Sequence, residues 1–229
     1  MAVQAKRKNS SDVDSFSFSK GQKVYLAFKR LIDLGGSFVG ILLFGLPMAV
    51  IAVVTRCTSK GPALYKQVRL GKDEKPFTML KFRSMRADAP SIAPADMAPG
   101  EQEHLITKWG HFLRKTSLDE LPQIINIVKG EMSIIGPRPA LWNQFDLIEE
   151  RDKYGANDVM PGLTGWAQIN GRDELPIDVK ARLDGEYVEK MGFLFDCKCF
   201  FKTFTSVLKH EGVVEGGTGA MKENAEKEN

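Results

Sequence analysis

The chain has 229 residues, 43% hydrophobic and 27% charged, with 32 Lys and Arg against 29 Asp and Glu. That balance excludes a chain disordered throughout and a polytopic membrane protein, and a net charge of +3 is too small to argue for a nucleic-acid partner. Three cysteines, Cys57, Cys197 and Cys199, form an odd set without zinc-type spacing, which argues against a disulfide framework and a structural metal.

In chain order, residues 1–22 are rich in Ser, Lys and Asp and read as a mobile N-terminal arm. Residues 23–56 contain LIDLGGSFVGILLFGLPMAVIAVV, a run of 24 residues whose one charge is Asp33. That run meets the roughly 20-residue length needed to cross a bilayer, and it lacks the cleavage pattern of a signal peptide. Its two flanks are both basic, with Lys20, Lys23, Lys29 and Arg30 before it and Arg56, Lys60, Lys66 and Arg69 after it. A straight span should place one basic end in the cytoplasm. Pro47 lies near the middle of the apolar stretch, where it removes a backbone donor and clashes with the preceding turn. Two topologies fit these residues: an ordinary span that tolerates a proline, and a helix–break–helix hairpin that enters and leaves on one face.

Residues 57–212 read as one soluble domain, and 213–229 as a disordered tail. Residues 63–86 predict two short strands around a Gly-Lys-Asp turn, and 87–104 a Pro- and Ala-rich loop. Residues 118–129 have apolar positions at helical spacing with Ser117 as N-cap, and 141–154, 176–191 and 194–209 also predict helices. The last of these carries Phe195, Cys199, Phe200, Phe204 and Leu208 on an amphipathic or interfacial face. The fold class is α/β, mostly helical with a small β element.

Charged residues and glycines gather in this domain. Asp119 and Glu120 are adjacent carboxylates after Arg114 and Lys115, ahead of Pro122. Acids in a first helical turn can simply complement the helix dipole; equally, one carboxylate can serve as nucleophile while its neighbour holds a divalent cation. Gly136-Pro137-Arg138-Pro139 fixes an arginine between two rigid residues. Residues 161–172 pack three glycines, Gln168, Asn170 and Arg172 into a loop whose N–H groups and guanidinium could meet phosphate. Gly-Lys-Ser/Thr is absent, so this is no P-loop. Lys81 and Arg83 add charge on the second strand, where a solvated face is the alternative.

Lys29-Arg30-Leu31-Ile32-Asp33, Lys81-Phe82-Arg83-Ser84-Met85, the stretch from Arg114 through Pro122, Gly136-Pro137-Arg138-Pro139 and the stretch from Pro161 through Arg172 occur in this order. Together they strongly resemble the bacterial sugar transferases, the monotopic phosphoglycosyl transferases, over nearly all of residues 23–212. The resemblance implies transfer of a phospho-sugar from a UDP-sugar to a polyprenyl phosphate, typically undecaprenyl phosphate, giving a polyprenyl-diphosphate sugar and UMP. Such products initiate capsule, O-antigen, exopolysaccharide or glycoprotein glycan assembly. It implies a ping-pong mechanism through a covalent phospho-sugar on Asp119, with Glu120 assisting and Mg²⁺ held by Asp119 and Glu120. Arg114 and Arg172 match phosphate-binding positions, Arg138 the Pro-Arg-Pro arginine, and Lys81, Arg83 and Gln168 complete the candidate substrate-binding set.

The resemblance also implies a re-entrant helix at the bacterial inner membrane, with the catalytic domain facing the cytoplasm. Lys23, Lys29, Arg30 and Arg56 would then favour anionic lipid. Where the family often has Ser-Pro at the helix break, this chain has Gly45-Leu46-Pro47. It resembles the minimal, catalytic-core members; a homodimer is compatible with it, and the sugar is not readable. Two other functions compete: a polytopic-type transferase without a covalent intermediate, against which stands the single long apolar segment, and a non-enzymatic adaptor binding lipid phosphate.

Overall fold

The computed structural model describes residues 18–86, 89, 103–171 and 175–209. Residues 1–17, nearly all of the 87–104 loop, Arg172 and the 213–229 tail lie outside the described residues. Among those described, the chain forms seven helices and four short strands, so the mostly helical α/β expectation holds.

Helix α1 (Lys20–Thr58) dominates. It begins inside the stretch read as an arm, because Ser19 and Gln22 form a reciprocal capping box. Gln22 N donates to Ser19 Oγ at 3.2 Å, and Ser19 N donates to Gln22 Oε1 at 3.0 Å. The expected break at Pro47 is absent as an interruption, and the helix runs through it for 39 residues. The proline removes the partner of one carbonyl, a penalty of about 3 kcal/mol, yet the helix continues on both sides of it.

The burial of α1 is inverted relative to a soluble helix. Lys29, Asp33, Ser37 and Thr55 are buried against the domain, whereas Leu46 is 77% and Leu42 68% exposed. Phe38, Leu43, Val50 and Val53 are exposed as well. Lys29 ion-pairs with Asp196, which also accepts from Tyr25 Oη at 2.6 Å and Tyr187 Oη at 3.0 Å. Asp33 accepts from Ser133 Oγ at 3.0 Å and Ile134 N at 2.9 Å. Arg30 donates to the carbonyls of Ile127 and Val128, at 2.6 and 2.9 Å. Lys29 and Arg30, placed by the sequence among the charges directed at lipid, are therefore engaged by the domain.

After α1, strands β1 (Leu64–Leu70) and β2 (Pro76–Phe82) form the predicted antiparallel hairpin, with Leu64 opposite Phe82 and Leu70 opposite Pro76. Helix α2 (Lys108–Lys115) follows, then α3 (Gln123–Lys129). Ile51 of α1, Phe82 of β2 and Leu113 of α2 share one core, joined by Leu118 and Leu121.

Strands β3 (Ser133–Ile135) and β4 (Gly162–Thr164) pair in parallel, an element not anticipated from sequence. Between them lies α4 (Phe145–Asp152). Beyond them come α5 (Trp166–Ile169), α6 (Ile177–Lys190) and α7 (Phe193–Lys209). Helices α6 and α7 match the stretches predicted as helical to within one residue at each end, and α4 occupies the middle of the predicted 141–154. Ile135, Trp166, Tyr187, Val188 and Cys199 form a second core beneath the Asp196 cluster.

Candidate active site

The carboxylates sit at a sharp bend rather than in the first turn of an α-helix. Helix α2 ends at Lys115, and Ser117 adopts a left-handed conformation (φ 56°) instead of capping a helix with its side chain. Residues 118–120 then form one 3-10 turn, and Pro122 stands as the N-cap of α3. Leu118 and Leu121 pack into the core with Ile51, Phe82 and Leu113. Their burial draws the intervening Asp119 in, to 7% exposure.

Cations from three separate elements converge here. Lys81 Nζ on β2 donates to Glu120 Oε1 at 2.8 Å, and Arg138 Nη2 donates to the same oxygen at 2.9 Å. Arg114, in the last turn of α2, donates through Nε to Ser84 Oγ at 2.9 Å and lies close enough to act on Asp119. The two acids respond differently. Burial pushes the Asp119 carboxyl up to about 6, with Glu120 adding to the rise, while Lys81, Arg114 and Arg138 pull against it. Burial opposes ionisation of Glu120 too, but Arg138 and Lys81 outweigh it and hold Glu120 well below the usual carboxylate range. Glu120 is thus an anion committed to two cations. Among the described residues, the Asp119 carboxylate takes no hydrogen bond and is left available to a ligand.

Arg138 is held from behind. Its carbonyl accepts from Arg151 Nη1 at 2.9 Å, and Arg151 itself is fastened to Asp184 Oδ2 through Nε and Nη2, at 2.8 and 2.5 Å. On either side, Pro137 O accepts from Gly162 N at 2.8 Å and Pro139 O from Arg69 Nη1 at 3.0 Å. Sequence reasoning missed Arg151 and Asp184. Each lies in an ordinary amphipathic helix, and no spacing connects residues that far apart in the chain.

Other candidates are placed elsewhere. Arg83 donates to Ser59 O at 2.8 Å, Ser59 Oγ at 2.7 Å and Pro62 O, securing the C-terminal end of α1. The first two glycines of the 161–172 loop serve backbone packing. A Cβ on Gly162 would lie 2.1 Å from Gly136 N, and one on Gly165 would lie 2.0 Å from Gly136 O. The Gly162 N–H offered to phosphate by the sequence reading is taken by Pro137. Gln168 Nε2 donates to Leu163 O at 3.2 Å, leaving its buried Oε1 without a partner. No contact on the described residues ties Gln168 to the carboxylates.

Among the described residues no three metal-ligating side chains cluster, and what the described part of the site offers a divalent cation is the two adjacent carboxylates. That donor set is compatible with magnesium, which usually keeps several waters and binds through one or two carboxylates plus substrate phosphates. A bacterial sugar transferase family model matches residues 24–210, which span α1, the carboxylate bend and the Arg138 loop. The chain belongs to this family.

Among its relatives, an uncharacterized sugar transferase, EpsL, of Bacillus subtilis strain 168 is 38% identical over 82% of this chain and 91% of its own. The UDP-glucose:undecaprenyl-phosphate glucose-1-phosphate transferase of Escherichia coli K12 is 37% identical over 76% of this chain and 39% of its own. The undecaprenyl-phosphate galactose phosphotransferase of Salmonella typhimurium LT2 is 33% identical over 80% of this chain and 41% of its own. This sugar transferase therefore spans about two-fifths of the length of the two relatives named for a substrate.

Proposed function

We propose that this sugar transferase moves a phospho-sugar from a UDP-sugar to a polyprenyl phosphate, undecaprenyl phosphate by the names of its relatives. The observation that carries the reading is a buried carboxylate, Asp119, without a hydrogen-bond partner among the described residues and surrounded by Lys81, Arg114 and Arg138. In the first step an Asp119 oxygen attacks the sugar-bearing β-phosphorus. The bond from that phosphorus to the oxygen bridging to the α-phosphate breaks, and UMP leaves. In the second step an oxygen of the polyprenyl phosphate attacks the same phosphorus, the acyl-phosphate bond breaks, and the Asp119 carboxylate is regenerated. Splitting the transfer this way replaces one encounter of two anions with two easier displacements. Arg138 and Lys81, positioned through Glu120, and Arg114 lower the repulsion between the carboxylate and a diphosphate. Mg²⁺ fits at Asp119 and Glu120, where it would supply further neutralisation of diphosphate charge.

The inverted burial of α1 supports attachment to the bacterial inner membrane, since apolar side chains so widely exposed need a lipid environment. Among the described residues it is the one helix long and apolar enough to cross a bilayer. Two features support re-entry, with the domain on the cytoplasmic face. Lys29 and Asp33 near one end and Ile51 and Thr55 near the other are all buried on the same domain. From residue 29 to 55 a straight helix rises about 39 Å, more than the hydrocarbon thickness, so a spanning α1 would draw polar parts of the domain into lipid. Membrane-impermeant maleimide tests this on Cys57, which is exposed at the end of α1. Paired with a cysteine introduced at Lys20 in a Cys197→Ala background, re-entry requires both to label in inside-out vesicles and neither in sealed cells. Labelling on opposite sides would establish a span.

The function is tested by UMP release from a panel of UDP-sugars with purified protein, Mg²⁺ and undecaprenyl phosphate. Release that depends on one sugar, on the lipid and on Asp119 supports the transferase and names its donor. Without lipid, release should stop at about one UMP per chain, the stoichiometry of a covalent half-reaction.

A further inference from the structure

Gln123 opens α3 four residues after Asp119 and is 1% exposed. The bonds here join residues three apart, and in such a turn residues three apart share a face, which sets Gln123 over Glu120. The bonds Leu121 N to Leu118 O at 3.3 Å, Ile124 N to Leu121 O at 3.1 Å and Ile125 N to Pro122 O at 3.0 Å keep the chain coiled from the carboxylate bend into α3. Three residues further along, Asn126 is buried against β2. It accepts from Leu80 N at 3.0 Å and donates to Thr78 O at 2.7 Å and Glu131 Oε2 at 2.6 Å. Lys81, the next residue of β2, reaches Glu120. Gln123 therefore lies between two points where this helical stretch is bonded to β2, and its own amide is bonded to neither. Its Nε2 is buried with no hydrogen-bond partner among the described residues.

A buried amide donor left unpaired costs about 1–3 kcal/mol, and a native structure keeps few such groups. An apolar side chain of the same shape would avoid that cost. The functional counterpart of an unpaired donor on the Glu120 side of a carboxylate pair ringed by cations is an anionic oxygen supplied by a ligand. We propose that Gln123 is a substrate-contacting residue whose Nε2–H donates to an oxygen of the transferred β-phosphoryl group when that group is held against Asp119. The inference rests on the transferase reading and extends its binding set to a residue that no charge or glycine pattern marks.

The test compares wild type, Gln123→Met, which keeps the shape and removes the donor, and Gln123→Asn, which keeps the donor on a shorter arm. Thermal unfolding, the Kd values of UDP and UMP, and steady-state UMP release are measured for each. Gln123→Met should unfold at or above the wild-type temperature. It should lose about tenfold or more in UDP affinity and in kcat/KM, with UMP affinity unchanged, because UMP lacks the β-phosphoryl group. Gln123→Asn should fall between the two. Wild-type UDP affinity and kcat/KM in Gln123→Met would overturn the proposal. So would a lower unfolding temperature with UDP and UMP weakened alike, the pattern of a structural amide. If Gln123→Met does not fold, the same readouts on Gln123→Asn decide, an unchanged UDP Kd overturning the proposal. A selective loss of UDP affinity in a protein that releases no UMP from any donor would uphold the Gln123 contact while overturning the transferase reading.

Discussion

Two buried carboxylates, Asp196 and Asp119, show how one chemical group serves opposite ends in this molecule. Asp196 is enclosed by Lys29, Tyr25 and Tyr187, so both of its oxygens are occupied, and the cluster ties α1 and α6 to α7. Asp119 is equally buried and has cations nearby, but their hydrogen bonds go to its neighbour Glu120 or to Ser84. A carboxylate whose partners are all fixed is structural, because taking any one away leaves a buried charge. In the proposed mechanism, a carboxylate kept out of water with cations aimed beside it is primed to react.

The largest effect that would break this comparison is on turnover. Asp119→Asn should reduce UMP release about a thousandfold or more, as expected when a covalent nucleophile is removed, while the far-UV spectrum stays native. Turnover near wild type would show that Asp119 is no nucleophile. Asp196→Ala should act on the fold instead, lowering stability by about 3–5 kcal/mol because Lys29 is left buried and unpaired. Denaturant unfolding in detergent measures it.

A third variant sits between these extremes. Arg151→Met removes the support of the Arg138 carbonyl and strands Asp184, so it should destabilise the domain by a similar amount. At a temperature where the variant remains folded, KM for the donor should rise about tenfold or more, because a misaimed arginine weakens phosphate binding. An unchanged KM would detach Arg151 from the site.

The smallest effect is a pH dependence of stability. The Asp119 carboxyl lies near 6 in the folded chain against an ordinary value of 3.8, so between these values the folded state binds the extra proton. Asp119 therefore destabilises the fold progressively as pH rises from about 4 to 6, and the penalty persists above 6. With a chelator present, Asp119→Asn should be more stable than wild type at pH 8 by about 1–3 kcal/mol, with the difference vanishing below pH 4. Glu120 has the opposite sign: its depressed carboxyl contributes stability that is lost only as pH falls through its folded value. Equal stabilities of wild type and Asp119→Asn at pH 8 would show that Asp119 is not held in a charge-averse site.

How much of this was legible in advance follows from the range over which each feature acts. The β1–β2 hairpin and helices α4, α6 and α7 were readable because turn residues and apolar periodicity act within a few positions. Strands β3 and β4 have three residues each and pair across most of α4 and its flanking loops, too short for any alternation to register. The same pairing turned Gly162 and Gly165 from apparent phosphate ligands into points of close backbone contact. Arg83, a candidate for substrate binding by its charge and by the resemblance, is consumed by the carbonyls that end α1. Lys81, two positions earlier on the same chain, reaches the carboxylates.

The sequence by itself determined the long apolar helix, the family and the kinds of charged group available for chemistry, because composition and motif order are properties of the chain alone. Only the tertiary structure decided which carboxylate has both oxygens bonded and which takes no hydrogen bond among the described residues, which arginines meet carboxylates and which meet carbonyls, and that α1 turns its polar stripe to the domain. Those outcomes depend on burial and on partners distant in sequence, where a single buried hydrogen bond or ion pair outweighs any local preference.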